Sequence, residues 1–422
     1  MRWLALLTLC GLLAGAPSVG KAQIRLEITG EGGRQVPIAI VPLYKLGGES
    51  DRQAGEIFAD VLGRDLDLSG YFRVSDGSVD EGGFSGIQLE DINFQLWSSL
   101  GILVLIKGGF VLDGDSLMVE VRLFDVAQRK QLGGKRYRGE RQDLRRMAHR
   151  FADEIMLMLT GERGPFDSRI AFVSTRGGGR VKELYVADAA GEQIKAITQD
   201  KTLNLLPNWD PTASKLTYCS YKRGGPYPYM VDLRTGTQLR LVSTPGYSCG
   251  RWSPDGSLLA VSLEQDGNSD LFLLSPDGRI IKRLTERAGI NISPSWSPDG
   301  RQLVFCSSRG GQPQIYVTDV DSGRTRRLTF QGSYNTSPAW SPKGDLIAYT
   351  NRTRGFRIMT IPVQGGEPRE IAPGEDPSWS PDGRYVVFSY RGRLHLARWD
   401  GRSVKQLTGG GEMIVVPLGQ RG

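Results

Sequence analysis

Trp252-Ser253-Pro254-Asp255-Gly256 is the most informative stretch of this sequence, because it returns along the chain at a nearly constant interval. Its other copies are Trp296-Ser297-Pro298-Asp299-Gly300, Trp340-Ser341-Pro342-Lys343-Gly344, Trp379-Ser380-Pro381-Asp382-Gly383 and the divergent Trp209-Asp210-Pro211-Thr212-Ala213. From Trp209 to Trp379, successive tryptophans are 43, 44, 44 and 39 residues apart. A period near 44 residues is typical of the blades of a β-propeller.

Each copy is followed by a short alternating apolar run that predicts a second strand. Six such runs occur, beginning at Ile170, Leu216, Leu259, Leu303, Ile347 and Val386. A further apolar segment, a turn and a last segment ending in Leu-Thr or a similar pair complete each repeat, as at Leu328 and Thr329. Four strands in six copies predict six blades, with Pro-Asp-Gly as the hairpin turn inside each blade.

The repeated tryptophan is expected to pack between neighbouring blades, because one blade cannot bury both of its faces alone. The alternative is a set of tryptophans that holds a flat cofactor. The first repeat lacks a tryptophan-bearing strand, so we expect the C-terminal run at residues 413–417 to supply that strand and close the ring.

The N-terminus resembles a secretory signal peptide at residues 1–22, with Arg2 before an apolar run at residues 4–13. The small residues Gly20 and Ala22 favour cleavage near Ala22, which leaves Gln23 as the mature N-terminus. An uncleaved anchor is the alternative, although the run is shorter than a membrane-spanning helix requires. We therefore expect an exported, soluble protein that does not span the membrane.

Residues 23–162 lack the repeat and predict a small α/β domain. The patterns favour strands at residues 36–43, 102–106 and 117–124, and helices at residues 50–68 and 140–159. A linker at residues 161–165 leads into the propeller at residues 163–422. The predicted fold is an α/β N-terminal domain followed by an all-β six-bladed β-propeller.

Composition excludes several classes of function. The 422 residues carry a formal net charge of +7 and only two histidines, which rules out a centre built from several histidines. The excess charge lies in the propeller, which has 33 basic and 24 acidic residues from residue 164 onward. No pattern favours nucleic-acid binding. Cys219 and Cys306 fall at the same position of two repeats, and we expect both to be small buried hydrophobes.

Several local motifs lack the context that their chemistry needs. Gly246-Tyr247-Ser248-Cys249-Gly250 matches the nucleophile pattern Gly-x-Ser-x-Gly, but it lies inside a blade repeat rather than between a strand and a helix. Acidic segments such as residues 266–270 lack the spacing of a calcium loop. We therefore predict no catalytic residue, no metal site and no cofactor.

A signal peptide, a small α/β domain and Trp-Ser-Pro-Asp-Gly blades ending in Leu-Thr together resemble the TolB family, over nearly the whole mature chain. The resemblance implies a non-enzymatic periplasmic adaptor of the Tol-Pal system, which supports outer-membrane integrity and envelope constriction during division. It implies Pal, a peptidoglycan-associated lipoprotein, as partner at the propeller mouth, and TolA at the mature N-terminal segment. Other envelope proteins and bacteriocins are further candidate partners, and a monomer is expected.

The strand order places the mouth independently of this resemblance. Residues before each tryptophan and after each second strand should share one face, opposite the Pro-Asp-Gly turns. The first predicted set is polar and aromatic: Asn204, Tyr247, Ser248, Asn291, Ile292, Tyr334, Asn335 and Thr336. The second set is basic and should favour an acidic partner: Arg176, Arg223, Arg309, Arg352 and Arg354, with Lys222 and Arg391 beside them.

The TolA-binding segment implied by the resemblance begins with Gln23, Ile24, Arg25, Leu26, Glu27 and Ile28. Its alternation of apolar and polar residues fits a strand added to a partner's sheet or an ordinary first strand of its own domain. Two other functions remain open from sequence: an exported propeller hydrolase using Ser248, and a propeller that binds a small ligand with channel tryptophans.

Overall fold

The structure is a computed structural model that describes residues 35–46, 52–77, 79, 86–178, 181–246, 248–265, 267–409 and 418–419. Its N-terminal part is a six-stranded sheet with helices on both faces. The elements are β1 (Val36–Ile40), β2 (Tyr44–Lys45), α1 (Arg52–Leu68), β3 (Phe72–Asp76), α2 (Phe94–Ser99), β4 (Val104–Asp113), β5 (Ser116–Asp125), β6 (Lys130–Glu140) and α3 (Leu144–Thr160). Short 3-10 turns lie at Leu89–Asp91 and Arg141–Asp143.

The sheet has the order β3-β1-β4-β5-β6, and β2 also pairs with β4. Strand β1 runs parallel to β3 and β4, whereas β4, β5 and β6 are antiparallel. Helices α1 and α3 pack on one face, and α2 covers the other through Trp97. Gly55 permits the close approach of α1 to the chain after β1, because a Cβ atom there would lie 1.9 Å from the Leu43 carbonyl oxygen.

The predicted α/β character is confirmed, with differences in the individual elements. The predicted helix at residues 140–159 begins at Leu144, because β6 continues to Glu140. Strands β3 and β6 and helix α2 were not predicted. Most of β6 is polar and exposed, so its sequence lacks the alternation that marks a half-buried strand.

Six four-stranded sheets follow, which confirms the predicted six-bladed propeller. Blade 1 contains Arg169–Ser174, Glu183–Asp188 and Lys195–Ala196, and blade 2 contains Asn204–Trp209, Lys215–Ser220, Tyr227–Asp232 and Gln238–Arg240. Blade 3 contains Ser248–Trp252, Leu259–Gln265, Asn268–Leu274 and Ile280–Arg283, and blade 4 contains Asn291–Trp296, Gln302–Ser307, Gln314–Asp319 and Thr325–Arg327. Blade 5 contains Asn335–Trp340, Leu346–Arg352, Phe356–Pro362 and Arg369–Pro373, and blade 6 contains Glu375–Trp379, Tyr385–Tyr390, Arg393–Arg398 and Val404–Gln406.

The C-terminal strand Leu418–Gly419 completes blade 1. It is the innermost strand of that blade and pairs antiparallel with the second strand, Arg169–Ser174, with Leu418 opposite Ile170. The run at residues 413–417, which we expected to close the ring, lies outside the described residues. The first blade therefore combines strands from both ends of the propeller sequence.

The serine of the repeated phrase organises the hairpin turns of blades 3, 4 and 6 through a hydrogen bond to the following aspartate. In blade 4 the Ser297 hydroxyl donates to Asp299 at 2.5 Å and accepts the Gln302 N–H at 2.9 Å. Gly300 has a φ of +71°, a backbone conformation that favours glycine. The repeated phrase is therefore a complete turn signal with its own hydrogen bonds.

The tryptophans pack between blades, as predicted. Trp209, Trp296, Trp340 and Trp379 are 6–8% exposed. Each lies in a cluster with apolar residues of the preceding blade, such as Val304 and Val317 beside Trp340. Trp252 is partly exposed but joins a similar cluster. Burial of these large rings stabilises the contacts between blades.

The prediction for the cysteines is only half right. Cys306 is a free, buried thiol, and burial raises its pKa to about 11. Cys219 is also buried, at 2% exposed, but it is held in a disulfide.

One continuous apolar core joins the N-terminal domain to the ring. It runs from the sheet through α1 and α3 to blades 1 and 6, where Phe172, Tyr185 and Tyr385 are among its members. The Tyr385 hydroxyl also donates to the Ser69 carbonyl at 3.0 Å, just after α1. The two parts of the chain therefore share one core instead of meeting only through a linker.

A buried polar cluster crosses the same interface. His149 of α3 lies between Asp65 of α1 (Nδ1 to Oδ2, 2.6 Å) and Asp188 of blade 1 (Nε2 to Oδ2, 3.5 Å). Burial opposes the charged ring, but the charge of Asp65 and the hydrogen bonds to Asp188 and Asp65 outweigh burial and raise the pKa of His149 to about 10. His149 is therefore an imidazolium at neutral pH, and it links the propeller to the N-terminal domain.

Replacing this cation should weaken the interface in a pH-dependent way. The unfolded pKa of histidine is about 6.5, so the contribution of His149 is complete below that pH and is lost as the pH rises through about 10. We expect His149→Gln to lower the free energy of unfolding at pH 6.5 by roughly 3 kcal/mol, because the buried Asp65 carboxyl, whose pKa burial raises to about 6, loses the cation that favours its ionised form.

The measurement is denaturant unfolding of wild type and variant at several pH values from 6 to 10. The difference between them should shrink toward pH 10. His395→Gln, at the partly exposed second histidine, is the control and should show no such trend. A difference that stays constant over this range would contradict the charged state of His149.

Candidate protein-binding site

The mouth lies where the innermost strands begin. In blade 4, Asn291 pairs with Ser307 at the end of the second strand, and Trp296 pairs with Leu303 at its start. Residues before each tryptophan and residues after each second strand therefore share one face, and the Pro-Asp-Gly turns lie on the other.

The three predicted asparagines of the mouth are structural. Asn204, Asn291 and Asn335 are 0% exposed. Each donates to a carboxylate or amide oxygen on the third strand of the preceding blade: to Glu183 at 2.7 Å, Asp270 at 3.2 Å and Gln314 at 2.9 Å. Their amide groups have no surface that a partner could contact.

A threonine completes each of these three arrangements. It belongs to a Leu-Thr ending in two blades and to Ile197-Thr198 in blade 1. Thr198, Thr285 and Thr329 each accept a backbone N–H of the third strand at 2.9 Å. Each also donates to the same oxygen that the asparagine contacts. We name these three groups the Thr–Asn clamps, because they tie each of blades 1, 3 and 4 to the blade that follows.

The predicted basic residues fall into two groups. The Arg309 guanidinium lies over the rings of Phe305 (5.1 Å) and Tyr316 (5.0 Å), and Arg309 also donates to Asn291 at 3.0 Å. Arg176 stacks similarly on Phe172 and Tyr185. These rings and the Asn291 oxygen hold the Arg309 guanidinium against its own blade. Burial lowers the pKa of Arg309.

The second basic group is free to face a partner. Arg223, Arg352, Arg354 and Arg391 are exposed. Arg352 and Arg354 belong to one hairpin of blade 5, where the Arg352 guanidinium lies 5.6 Å from the ring of Phe356. Arg354 also lines a surface groove of about 420 Å³ with Asn351 and Arg357. The exposed positive charge of the mouth is thus concentrated at its rim.

The other predicted residues are only partly available. Ile292, Tyr334 and Thr336 are partly buried at the mouth. Tyr247, the side chain of Ser248 and the segment Gln23 to Ile28 lie outside what the structure describes.

Three apolar residues of the rim were not predicted. Ile290, Phe330 and Phe356 are 53%, 73% and 40% exposed. Phe330 directly follows a Leu-Thr ending, and Ile290 directly precedes a clamp asparagine. A large apolar side chain at each of these two positions is the sequence signal that could have identified them. Together with the arginines they form a mixed aromatic and basic rim, a composition enriched in protein interfaces.

The Gly-x-Ser-x-Gly motif leads into a blade strand and not into the strand-to-helix turn of a nucleophile elbow. Ser248 begins the innermost strand of blade 3, and no helix follows that strand in the blade. His395 lies on a strand of blade 6 and packs against Phe388 and Tyr390. Among the described residues, no group of three or more His, Cys, Asp or Glu side chains could hold a metal ion. No helix in the described ranges is long and apolar enough to cross a membrane.

Comparisons with known proteins agree with this architecture. The TolB amino-terminal domain matches residues 24–132, and the TolB beta propeller domain matches residues 157–414, more than half of the chain. Proteins described as Tol-Pal system protein TolB from Desulfosudis oleivorans and Geobacter sulfurreducens are both 39% identical, over 60% and 45% of this chain. The chain spans 58% and 43% of the lengths of these two relatives.

A solved structure extends the similarity to both parts of the chain. The crystal structure of TolB from Acinetobacter baumannii aligns with a TM-score of 0.79 at 28% identity. The alignment covers 91% of this chain and 96% of that chain.

We expect a substitution in a clamp to lower the stability of the protein without removing a contact to a partner. We expect Asn335→Ala to lower the free energy of unfolding by roughly 1–3 kcal/mol, because it leaves the buried Gln314 oxygen and the Asn351 amide with fewer partners. Denaturant unfolding measures this change, with Ser333→Ala at a nearby exposed position as control. Unchanged stability together with lost partner binding would show instead that Asn335 contacts the partner.

Proposed function

The chain belongs to the TolB family, and from this premise we propose that it is a non-enzymatic adaptor of the periplasm. In this proposal the propeller mouth binds Pal, and the mature N-terminal residues 23–34 bind TolA. The protein would reach the periplasm after cleavage of a signal peptide near Ala22. Its role is to support outer-membrane integrity and constriction of the envelope, within the Tol-Pal system that its curated relatives are named for.

The observation that carries the proposal for the mouth is the exposed rim of arginines and aromatic rings. Arg352, Arg354 and Phe356 stand on one hairpin, and Phe330 stands on the adjacent edge of blade 4. Exposed apolar rings flanked by cations supply both desolvation energy and charge complementarity. A folded partner with acidic groups around an apolar patch fits this surface best.

The difference between packed and exposed arginines supports the same site. Arg176 and Arg309 are occupied within their blades, so they hold the mouth in shape. Arg352 and Arg354 have no ion pair among the described residues. Partner binding would therefore rest on the side of the mouth formed by blades 4, 5 and 6, where exposed charge and exposed apolar area coincide.

The N-terminal segment would make a separate contact in this proposal. It directly precedes β1, which lies inside the sheet between β3 and β4. A segment with alternating apolar residues in this position can add to the sheet of a partner by backbone hydrogen bonds. TolA would thus be engaged by the N-terminal domain while Pal is engaged by the ring.

Charge reversal at the rim tests the Pal site. We expect Arg352→Glu with Arg354→Glu to weaken Pal binding by about tenfold or more and to reduce its salt dependence, because two attractive charges become repulsive. Calorimetric titration of the mature protein with the periplasmic domain of Pal from the same organism, at two salt concentrations, gives both quantities.

The matched control is Arg301→Glu with Arg324→Glu, two exposed arginines on the opposite face of blade 4. This variant has the same net charge as the first and should bind Pal like wild type. Equal weakening by both variants would show a general charge effect and remove the rim from the site. Absence of Pal binding to the wild-type protein at micromolar concentrations would overturn the Pal assignment itself.

Deletion of residues 23–34 tests the second contact. We expect loss of TolA binding with Pal binding retained, because the deletion ends before β1 and leaves the rim intact. Pull-down and titration with the periplasmic domain of TolA measure the first effect, and the Pal titration serves as the control for folding. Undiminished TolA binding would place that contact elsewhere on the protein.

A further inference from the structure

The central channel contains a chamber on the face opposite the mouth. The chamber has a volume of about 290 Å³ and is lined by the Trp-Ser or Trp-Asp pairs and the prolines of blades 2 to 5. A smaller cavity of about 40 Å³ continues toward the mouth, and its walls include Ser293, Ser337 and Asp376. Arg251 and Asn208 line both spaces.

Arg251 is an exception among the residues at its position. It directly precedes Trp252, where the other tryptophan-bearing blades have Asn208, Ser295, Ala339 and Ser378. It therefore places a single cation among small neutral or polar side chains in the channel wall.

The guanidinium of Arg251 is not compensated by the protein. Within the described part of the chain the guanidinium has no ion pair and no hydrogen bond. Only the backbone carbonyl of Arg251 is bonded, and it accepts the indole N–H of Trp296 at 2.9 Å. Asp376 also faces the channel, but its carboxylate accepts from Ser337 at 2.7 Å instead of pairing with Arg251. Desolvation by the surrounding protein lowers the pKa of Arg251 to about 10, so the group is charged at neutral pH. The Asp210 carboxylate also lines the chamber, but it accepts hydrogen bonds from Thr212, Ser214 and the Lys215 N–H instead of pairing with Arg251.

Hydrogen-bond donors without acceptors collect on the same side of the chamber. The indole N–H groups of Trp209 and Trp252 have no partner among the described residues. By contrast, Trp296 and Trp379 donate to carbonyls of the preceding blade at 2.9 and 3.0 Å. Trp209 is only 7% exposed, so its unpaired N–H is a buried dipole beside the chamber. Both rings line the chamber together with Arg251, and the guanidinium is the charged donor there that an anion would contact.

We propose that this chamber binds a small carboxylate with an apolar body, held at Arg251. A planar carboxylate matches the planar guanidinium by two parallel hydrogen bonds. The tryptophan and proline rings around it supply apolar contact for a short hydrocarbon chain. The volume is close to the lower limit of ligand pockets, which restricts the ligand to a small molecule. This site is separate from the mouth and does not depend on the Pal assignment.

Hexanoate, with the uncharged hexanamide as its isostere, tests the proposal. Tryptophan fluorescence and the melting temperature are recorded during titration of the full mature protein. We expect a saturable fluorescence change and a rise in melting temperature with hexanoate, and binding at least tenfold weaker with hexanamide. Arg251→Met should bind hexanoate at least tenfold more weakly than wild type.

The variant itself should remain folded, because methionine removes an uncompensated charge while keeping most of the side-chain volume. Its melting temperature without ligand should equal or exceed that of wild type. Arg301→Met, on the same face but exposed to solvent, is the matched control and should bind hexanoate like wild type. No saturable response of wild type, or an equal response from Arg251→Met, would overturn the proposal.

Discussion

Contact between neighbouring blades is the constraint on which this structure depends, because a four-stranded blade exposes two apolar faces and cannot bury them alone. Two kinds of contact meet this need: the tryptophans of blades 2 to 6, and the Thr–Asn clamps that follow blades 1, 3 and 4. The tryptophan at the end of the innermost strand fills the apolar space between blades, and the Thr–Asn clamp joins the blades through buried hydrogen bonds at the mouth. The tryptophans lie toward the turn face, and the clamps lie toward the mouth. The mouth is thus held by internal bonds, and its outermost arginines can project into solvent.

The N-terminal domain is joined to this ring by both apolar and polar contacts. Its helices α1 and α3 share a core with blades 1 and 6, and charged groups surround that core. Arg64 of α1 donates to the Leu407 carbonyl of blade 6 at 2.8 Å and pairs with Glu192 of blade 1 at the same distance. One side chain thereby contacts the first and the last blade. The domain consequently rests on the place where the ring closes.

The features that could be predicted from sequence are those that act locally. Pro-Asp-Gly forms its turn wherever it occurs, the spacing of the tryptophans gives the length of a blade, and the six copies of the second strand give the number of blades. The roles of the mouth residues depend on partners that are distant in sequence. Arg309 and Arg352 both lie at the end of a second strand, yet only Arg309 is held by two rings. In blade 4 the paired residues Phe305 and Tyr316 are both aromatic, whereas in blade 5 Tyr349 pairs with Met359. The clamps were missed for a similar reason, since the residue that joins Thr329 to Asn335 lies on another strand.

The pairing of Leu418 with Ile170 has a consequence for the order of assembly. The strands of blades 2 to 6 are each contiguous in sequence, so these blades can form as soon as their own residues are available. Blade 1 must keep an open edge until a strand from far along the chain reaches it. Closing a loop of this length is entropically costly and slow compared with forming a hairpin. Circularisation of the propeller is therefore a late and cooperative event in folding, and the interval before it is when the exposed edge is most vulnerable to association with other chains.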